Sequence, residues 1–117
     1  RRQRQMCIRD RNCAPFEVVL GKGIAIKLKD GMVICHKKMV ETMKSVAEAG
    51  DIPYQLEILE SGGTDTCMLQ QAAGGCIAGA LSIPTRYGHS AVEVVDMNDV
   101  AGGVKILAGL CETRLGE

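Results

Sequence analysis

The chain has 117 residues, the size of one domain. It is 46% apolar but only 3% aromatic, so we expect an aliphatic core. Its formal net charge is zero, and no apolar run reaches the roughly 20 residues that span a bilayer. These totals argue against a nucleic-acid-binding or membrane protein. No apolar signal segment opens the sequence, so we expect a cytoplasmic protein.

The start of the chain differs sharply in composition from the rest. Residues 1–11 contain five arginines and one aspartate, a local charge of +4, and follow no strand or helix period. A basic arm for nucleic acid is one interpretation. We favour an unstructured or foreign leader, and divide the chain into this leader, residues 1–14, and one domain, residues 15–117.

The first half of the domain predicts a strand followed by a helix. Apolar residues at 24, 26 and 28 alternate with alanine and lysine, the period of a half-buried strand. Asp30 and Gly31 then predict a turn. Residues 36–49 place apolar side chains on one helical face and charges on the other. Gly50 is a natural stop, and we expect His36 to be a capping or surface residue.

The second half predicts two further strands and two further helices. Residues 54–59 alternate like a strand, and Thr64 or Asp65 can cap a helix over residues 66–73. Residues 76–83 form a continuous apolar run, typical of a strand covered on both faces in a parallel sheet. Asp96 predicts the cap of a last helix. Its expected buried stripe is Val100, Val104, Leu107, Ala108 and Cys111.

The alternation of strands and helices predicts an α/β fold with parallel strand pairs. In such folds the loops that follow strands gather at the carboxyl edge of the sheet. Two loops, residues 61–65 and 84–90, have polar side chains and could converge there. The first offers backbone N–H groups for an anion. A non-catalytic α/β binding module that uses both loops for an anionic ligand is therefore one hypothesis.

The second loop contains His89, one of two histidines in the chain. A loop histidine is often only exposed or hydrogen-bonded, but it can also be a metal ligand. A complete metal site needs three or four ligands, and Asp65 and Glu93 are the other carboxylates considered. Both have simpler roles, as a helix cap and a solvent-facing residue. The residues alone leave these alternatives open.

The cysteines form no Cys-x-x-Cys pair and have irregular spacing, so we expect buried free thiols in a reducing compartment. A disulfide framework or a zinc knuckle is the alternative. The six are Cys7, Cys13, Cys35, Cys67, Cys76 and Cys111.

Several motifs, in order, resemble a known family. They are LGKGxAI at residues 20–26, VICH at 33–36, IPYQ at 52–55, GGTD at 62–65, SIPTRYxHS at 82–90 and EVVD at 93–96. This series is similar to the carboxyl-terminal part of the dinuclear zinc aminopeptidases of the tetrahedral (TET, glutamyl or deblocking aminopeptidase) family, whose members are often labelled cellulase M.

The resemblance implies a fold, an activity and a metal ligand. The fold would be part of a three-layer zinc-peptidase sheet with helices on both faces. The activity would be removal of N-terminal residues from peptides by two divalent metals, zinc or cobalt, in a homo-oligomeric enzyme. The motif histidine binds metal in the family, so His89 inherits that role. Pocket candidates are Gly63, Thr64, Asp65, Arg86 and Tyr87.

The resemblance also implies that most of the site is elsewhere. The family's other ligands and its general-base glutamate precede the matched motifs, and no catalytic residue is retained here. Gly88 stands where a bulky apolar residue is common. We therefore expect a carboxyl-terminal fragment that binds no nucleic acid or membrane and does not hydrolyse peptides alone.

Overall fold

The computed structural model describes residues 18–60 and 62–113, and the predicted leader lies outside them. The described chain contains both strands and helices, as the α/β prediction requires; they alternate up to β3, after which three short strands follow one another before the last helix. The strands are β1 (Ile24–Lys29), β2 (Tyr54–Ile58), β3 (Leu81–Ser82), β4 (Thr85–Arg86) and β5 (Val94–Val95). The helices are α1 (Lys37–Ala49), α2 (Thr66–Gln71) with a 3₁₀ turn at Ala72–Gly74, and α3 (Met97–Glu112).

Local signals in the sequence position the two longer helices. The His36 Nδ1 atom accepts the Lys38 N–H at 3.2 Å, which confirms the predicted cap of α1, and Gly50 ends that helix. The Asp96 carboxylate accepts the Asn98 N–H at 2.8 Å and caps α3. Neither helix, nor any other in the described part of the chain, combines the length and apolar character needed to cross a bilayer.

The main sheet is mixed, with the order β2-β1-β3. β1 and β2 are parallel, as predicted, but β3 is antiparallel to β1, with Ser82 opposite Ala25. The prediction of a parallel strand over residues 76–83 is therefore wrong. Gln70 of α2 donates to Ile34 O near the carboxyl end of β1. From there the chain runs back along β1, since Ala78 O accepts the His36 N–H and Ala80 O accepts the Lys27 N–H.

The core lies between the sheet and one layer formed by α1 and α3. Ile24 and Ile26 pack there with Met43 of α1 and Ile106 of α3. A Cβ on Gly103 would lie 2.9 Å from Ile24 Cδ1, so α3 approaches β1 closely at this point.

The buried face of α3 is not the predicted stripe. Its buried residues are Asp99, Gly102, Gly103 and Ile106, whereas Val104 and Leu107 are 61% and 53% exposed. Ala108 and Cys111 are exposed as well. Two glycines allow the helix to approach the sheet closely. Because glycine has no apolar side chain, the pattern of apolar residues did not predict that this face is buried.

The opposite face of β1 carries a buried ion pair. Lys27 is 2% exposed, and its Nζ lies 2.8 Å from Glu57 Oε2 on β2. Ser82 of β3 donates its hydroxyl to the same oxygen. The Glu57 carboxylate therefore connects all three strands. The prediction that one face of β1 is exposed is wrong at Lys27.

Candidate functional site

The two loops proposed from the sequence leave the sheet at opposite edges. Because β3 runs antiparallel to β1, β3 ends beside the amino end of β1, and residues 83–96 leave the sheet there. Asp96 Oδ2 accordingly lies 3.2 Å from the position a Cβ on Gly21 would occupy. Residues 62–65 follow the carboxyl end of β2, where Gly31 N–H donates to Gly62 O at 2.8 Å. The expected convergence of these loops at one edge is therefore wrong.

The loop that carries His89 is closed by a short ribbon. β4 and β5 pair antiparallel, with Thr85 opposite Val95 and Arg86 opposite Val94. Glu93 Oε1 accepts the backbone N–H of His89. The ribbon and this bond together fix where the loop presents its histidine.

The backbone of this loop is strained at two residues. Tyr87 has φ of 60° and His89 has φ of 62°, both left-handed. Residues other than glycine seldom adopt this region, and such strain is concentrated at functional sites. The Ser90 N–H donates to Tyr87 O at 3.1 Å and keeps the turn tight. Asp51 and Ala73, each with φ of 50°, are also left-handed, but among the described residues two such non-glycine positions within three residues occur in this loop alone.

The side chains of the loop face outward. His89 and Arg86 are exposed, and Tyr87 is 63% exposed. A Cβ on Gly88 would meet only Thr85 Oγ1, at 3.4 Å, so the loop has room for a larger residue there. The imidazole is therefore accessible to a group supplied from outside the described residues.

The described residues do not form a metal site by themselves. Within residues 18–60 and 62–113, no group of three or more histidine, cysteine, aspartate or glutamate side chains is arranged to hold a metal ion. Glu93, considered as a second ligand, contacts the His89 backbone instead. His89 can thus supply one ligand, while a zinc site needs three or four.

The four cysteines in the described part of the chain are free thiols. Cys35 and Cys67 are buried, and Cys76 and Cys111 are exposed. Burial raises the pKa of the Cys35 thiol, which keeps it in the neutral form.

The other loop is fastened by a residue that the sequence analysis missed, Asp30. This residue is 1% exposed. Its Oδ1 accepts the N–H groups of Met32 and Val33 at 2.8 and 2.9 Å. Its Oδ2 accepts the N–H and the hydroxyl of Thr64 at 3.1 and 2.8 Å. Burial raises the pKa of this carboxyl, but these hydrogen bonds, the one from Met32 foremost, and the charge of Lys27 lower it overall.

Asp30 changes the interpretation of residues 62–65. The predicted anion site already has a carboxylate, because the Thr64 N–H is bonded to Asp30. Thr64 therefore does not cap α2, and Asp65 stands at the cap position without a side-chain capping bond. Gly63 lies against Met32: a Cβ added at Gly63 would be 2.4 Å from the Met32 Sδ atom. These contacts argue against the anion-binding module.

A second buried carboxylate fastens the amino edge. Asp99 of α3 is 2% exposed, and its two oxygens accept the N–H groups of Gly21 and Gly23 at 2.8 Å each. A Cβ on Gly23 would lie 2.2 Å from Pro53 O, so only glycine fits there. An aspartate in the first turn of a helix is already favourable to the helix dipole, so nothing local in the sequence indicates this long-range role.

Comparison with known proteins identifies the family that shares this sequence and fold. The sequence model of the M42 glutamyl aminopeptidase family matches residues 5–106. A protein of Acetivibrio thermocellus named "Putative aminopeptidase" is 50% identical over 93 residues, which are 80% of this chain and 28% of that protein.

Solved structures agree. A TET aminopeptidase from a marine sediment archaeon of the Thaumarchaeota superposes with a TM-score of 0.79 at 29% identity, over 85% of this chain and 28% of that one. The TET1 peptidase of Pyrococcus horikoshii, which can assemble into a tetrahedron or a large octahedral shell, gives 0.71 at 27% identity, over 92% and 36%. This chain thus spans about a third or less of each relative's length.

Proposed function

We propose, since this chain belongs to the M42 glutamyl aminopeptidase family, that it is the carboxyl-terminal part of a metal-dependent aminopeptidase catalytic domain. Its contribution to catalysis is His89, which supplies one ligand of a centre with two divalent metals, zinc being the expected ion. The observation that carries this proposal is the loop itself. An exposed imidazole stands on a strained turn that matches the family motif at residues 82–90.

The loop suits a metal ligand. A neutral imidazole binds metal through one ring nitrogen, and its position must be fixed by the backbone that carries it. The hydrogen bond from the His89 N–H to Glu93 supplies this constraint, and the β4–β5 ribbon closes the loop around it. Arg86 and Tyr87 shape the same loop and are candidates for substrate contact at its exposed side.

The chain alone is not expected to hydrolyse peptides. The described residues provide one suitable ligand and no assembled metal group. The remaining ligands and the general base would come from the larger part of the family's catalytic domain. The intact enzyme is proposed to be a homo-oligomer, as its TET relatives are.

A covalent chimaera tests this proposal. The matched 93-residue segment of the A. thermocellus relative is replaced by the corresponding residues of this chain, and hydrolysis of a panel of aminoacyl-p-nitroanilides is measured with and without zinc or cobalt. We expect metal-dependent hydrolysis that falls at least about a hundredfold in His89→Ala. The matched control is His36→Asn, which replaces the other histidine with a residue that also caps helices.

Two results would contradict the proposal. One is a His89→Ala chimaera as active as its parent, which would show that the imidazole is not needed. The other is an equal loss in His36→Asn, which would assign the effect to folding. Circular dichroism of both variants checks that the helices are retained.

A further inference from the structure

The outer face of α3 is apolar although it is exposed. We define this face by Met97, Val104, Leu107, Ala108 and Cys111, which share one side of the helix at 3.6-residue periodicity. Met97, Val104 and Leu107 are 70%, 61% and 53% exposed. The opposite side, with Gly102, Gly103 and Ile106, packs on the sheet. The helix is therefore apolar on two opposite sides, a pattern typical of a helix covered on both.

The neighbouring helix provides an internal standard. α1 lies in the same layer and contacts the same core. Its exposed side is charged, with Lys37, Lys38, Glu41, Lys44 and Glu48. α3 carries only Lys105 and Glu112 as exposed charges along sixteen residues. Both helices belong to one layer, but their outer sides differ. The charged outer side of α1 is typical of a solvent-facing helix, whereas the apolar outer side of α3 is typical of a helix covered by other protein.

We infer that the outer face of α3 is the docking surface for the remainder of an M42 catalytic domain, that is, for the part of the family's fold outside the segment matched by this chain. This inference rests on the proposed function. Most of each related chain lies outside the matched part, since this chain covers 28% and 36% of the two solved chains. That additional protein has to contact the shared part somewhere.

The face has the chemistry that such a contact needs. Leucine, valine and methionine side chains on one side of a helix lose water on contact without leaving a charge unpaired. Interfaces that resemble a divided domain core are the most apolar class. The charged outer side of α1 would bury its lysines and glutamates in the same position, which is costly. Of the two helices, α3 is therefore the one suited to continue the core.

Co-expression tests the docking surface. The tagged 117-residue chain is co-expressed with the part of the A. thermocellus relative outside its 93 matched residues. We expect the two pieces to co-purify, and Leu107→Glu to lower the recovered partner at least about tenfold. The matched control, Ser45→Glu, places the same charge at an exposed position of α1 and should leave recovery unchanged. Val104→Lys is a second variant, which should act like Leu107→Glu.

The remaining outcomes also decide the question. Failure of the wild-type pieces to co-purify, or equal recovery with all three variants, would overturn the inference. So would a dimer of the chain alone that Leu107→Glu dissociates in sedimentation, because the occupant would then be a second copy. Recovery in His89→Ala should match wild type. Co-purified pieces without aminopeptidase activity would keep the docking surface and contradict the proposed function.

Discussion

The two glycine-bearing loops differ in where their hydrogen bonds come from. Residues 62–65 are tied to the buried carboxylate of Asp30, whose Oδ2 lies 2.8 Å from the Thr64 hydroxyl and 3.1 Å from the Thr64 N–H. Residues 84–90 are held by a hydrogen bond to Glu93 and by the short β4–β5 ribbon, and the side chains of Arg86, Tyr87 and His89 stay exposed. A loop whose polar groups form hydrogen bonds with a buried carboxylate stabilises the fold. A strained loop with an exposed imidazole can bind a metal ion or a substrate.

The same difference separates the His89 loop energetically from the sheet. The sheet interior holds the pair of Lys27 with Glu57, and buried carboxylates fasten both edges, Asp30 at one and Asp99 at the other. Removing a partner there leaves a buried group unsatisfied. The His89 loop contains no such buried charge. Substitutions should therefore affect stability in the sheet and function in the loop.

The largest effect is expected at the strand-connecting ion pair. Glu57→Ala leaves the Lys27 ammonium buried without its counter-charge, which should lower the free energy of unfolding by roughly 3–5 kcal/mol. Urea denaturation checks this. Glu41→Ala is the matched control, because its pair with Lys44 is exposed and 3.6 Å long, and it should change little. Equal effects of both variants would remove the distinction between the buried and exposed regions.

The next effect is expected at Asp30 and depends on pH. Its pKa is lowered in the folded chain, so its ionised form contributes stability above the ordinary value of 3.8. That contribution is lost as the pH falls through 3.8 towards the lower folded value. Asp30→Asn should cost roughly 2–3 kcal/mol at pH 6 and less at pH 3. Denaturation midpoints at both pH values measure it.

Asp51→Asn serves as the control for Asp30. Asp51 is exposed and left-handed, and asparagine tolerates that conformation. A pH-independent cost at Asp30, or the same cost in the control, would contradict the role assigned to this carboxylate.

A smaller effect, of opposite sign, is expected in the His89 loop. A Cβ at Gly88 would meet only Thr85 Oγ1 at 3.4 Å, so Gly88→Ala should raise stability by about 0.4–1 kcal/mol by restricting the unfolded chain. Gly31→Ala should destabilise, since its Cβ would lie 2.6 Å from Gly62 O. Thermal denaturation of both variants measures the contrast. A destabilised Gly88→Ala would mean that the loop is packed more tightly than these contacts indicate.

The smallest effect on stability is expected at His89 itself. Its imidazole is exposed and asparagine tolerates its left-handed backbone, so His89→Asn should change the free energy of unfolding by less than about 0.5 kcal/mol. Urea denaturation of the isolated chain tests this. A loss above 1 kcal/mol would assign His89 a structural role and weaken its assignment as a ligand.

Short-range signals allowed much of the fold to be predicted. The cap at His36, the stop at Gly50 and the cap at Asp96 act within one helical turn, and α1 and α3 begin or end there. The alternation at residues 24–29 likewise located β1.

The direction of β3 and the partner of Asp30 could not be read locally. β3 pairs with a strand 55 or more positions away, and Thr64 lies 34 positions from Asp30. The buried side of α3 was misassigned because two glycines, which carry no apolar signal, form its contact with the sheet. The metal-binding role of His89 stays a prediction, because it depends on residues beyond the described part of the chain.

Metal binding by the chimaera tests the central claim most directly. Zinc bound per chain is measured by equilibrium dialysis for the parent chimaera, His89→Ala and His36→Asn. We predict that His89→Ala weakens zinc binding at one or more sites by at least about tenfold, while His36→Asn binds like the parent. Identical zinc binding by all three proteins would contradict the account, because His89 would then not be a ligand of the metal centre.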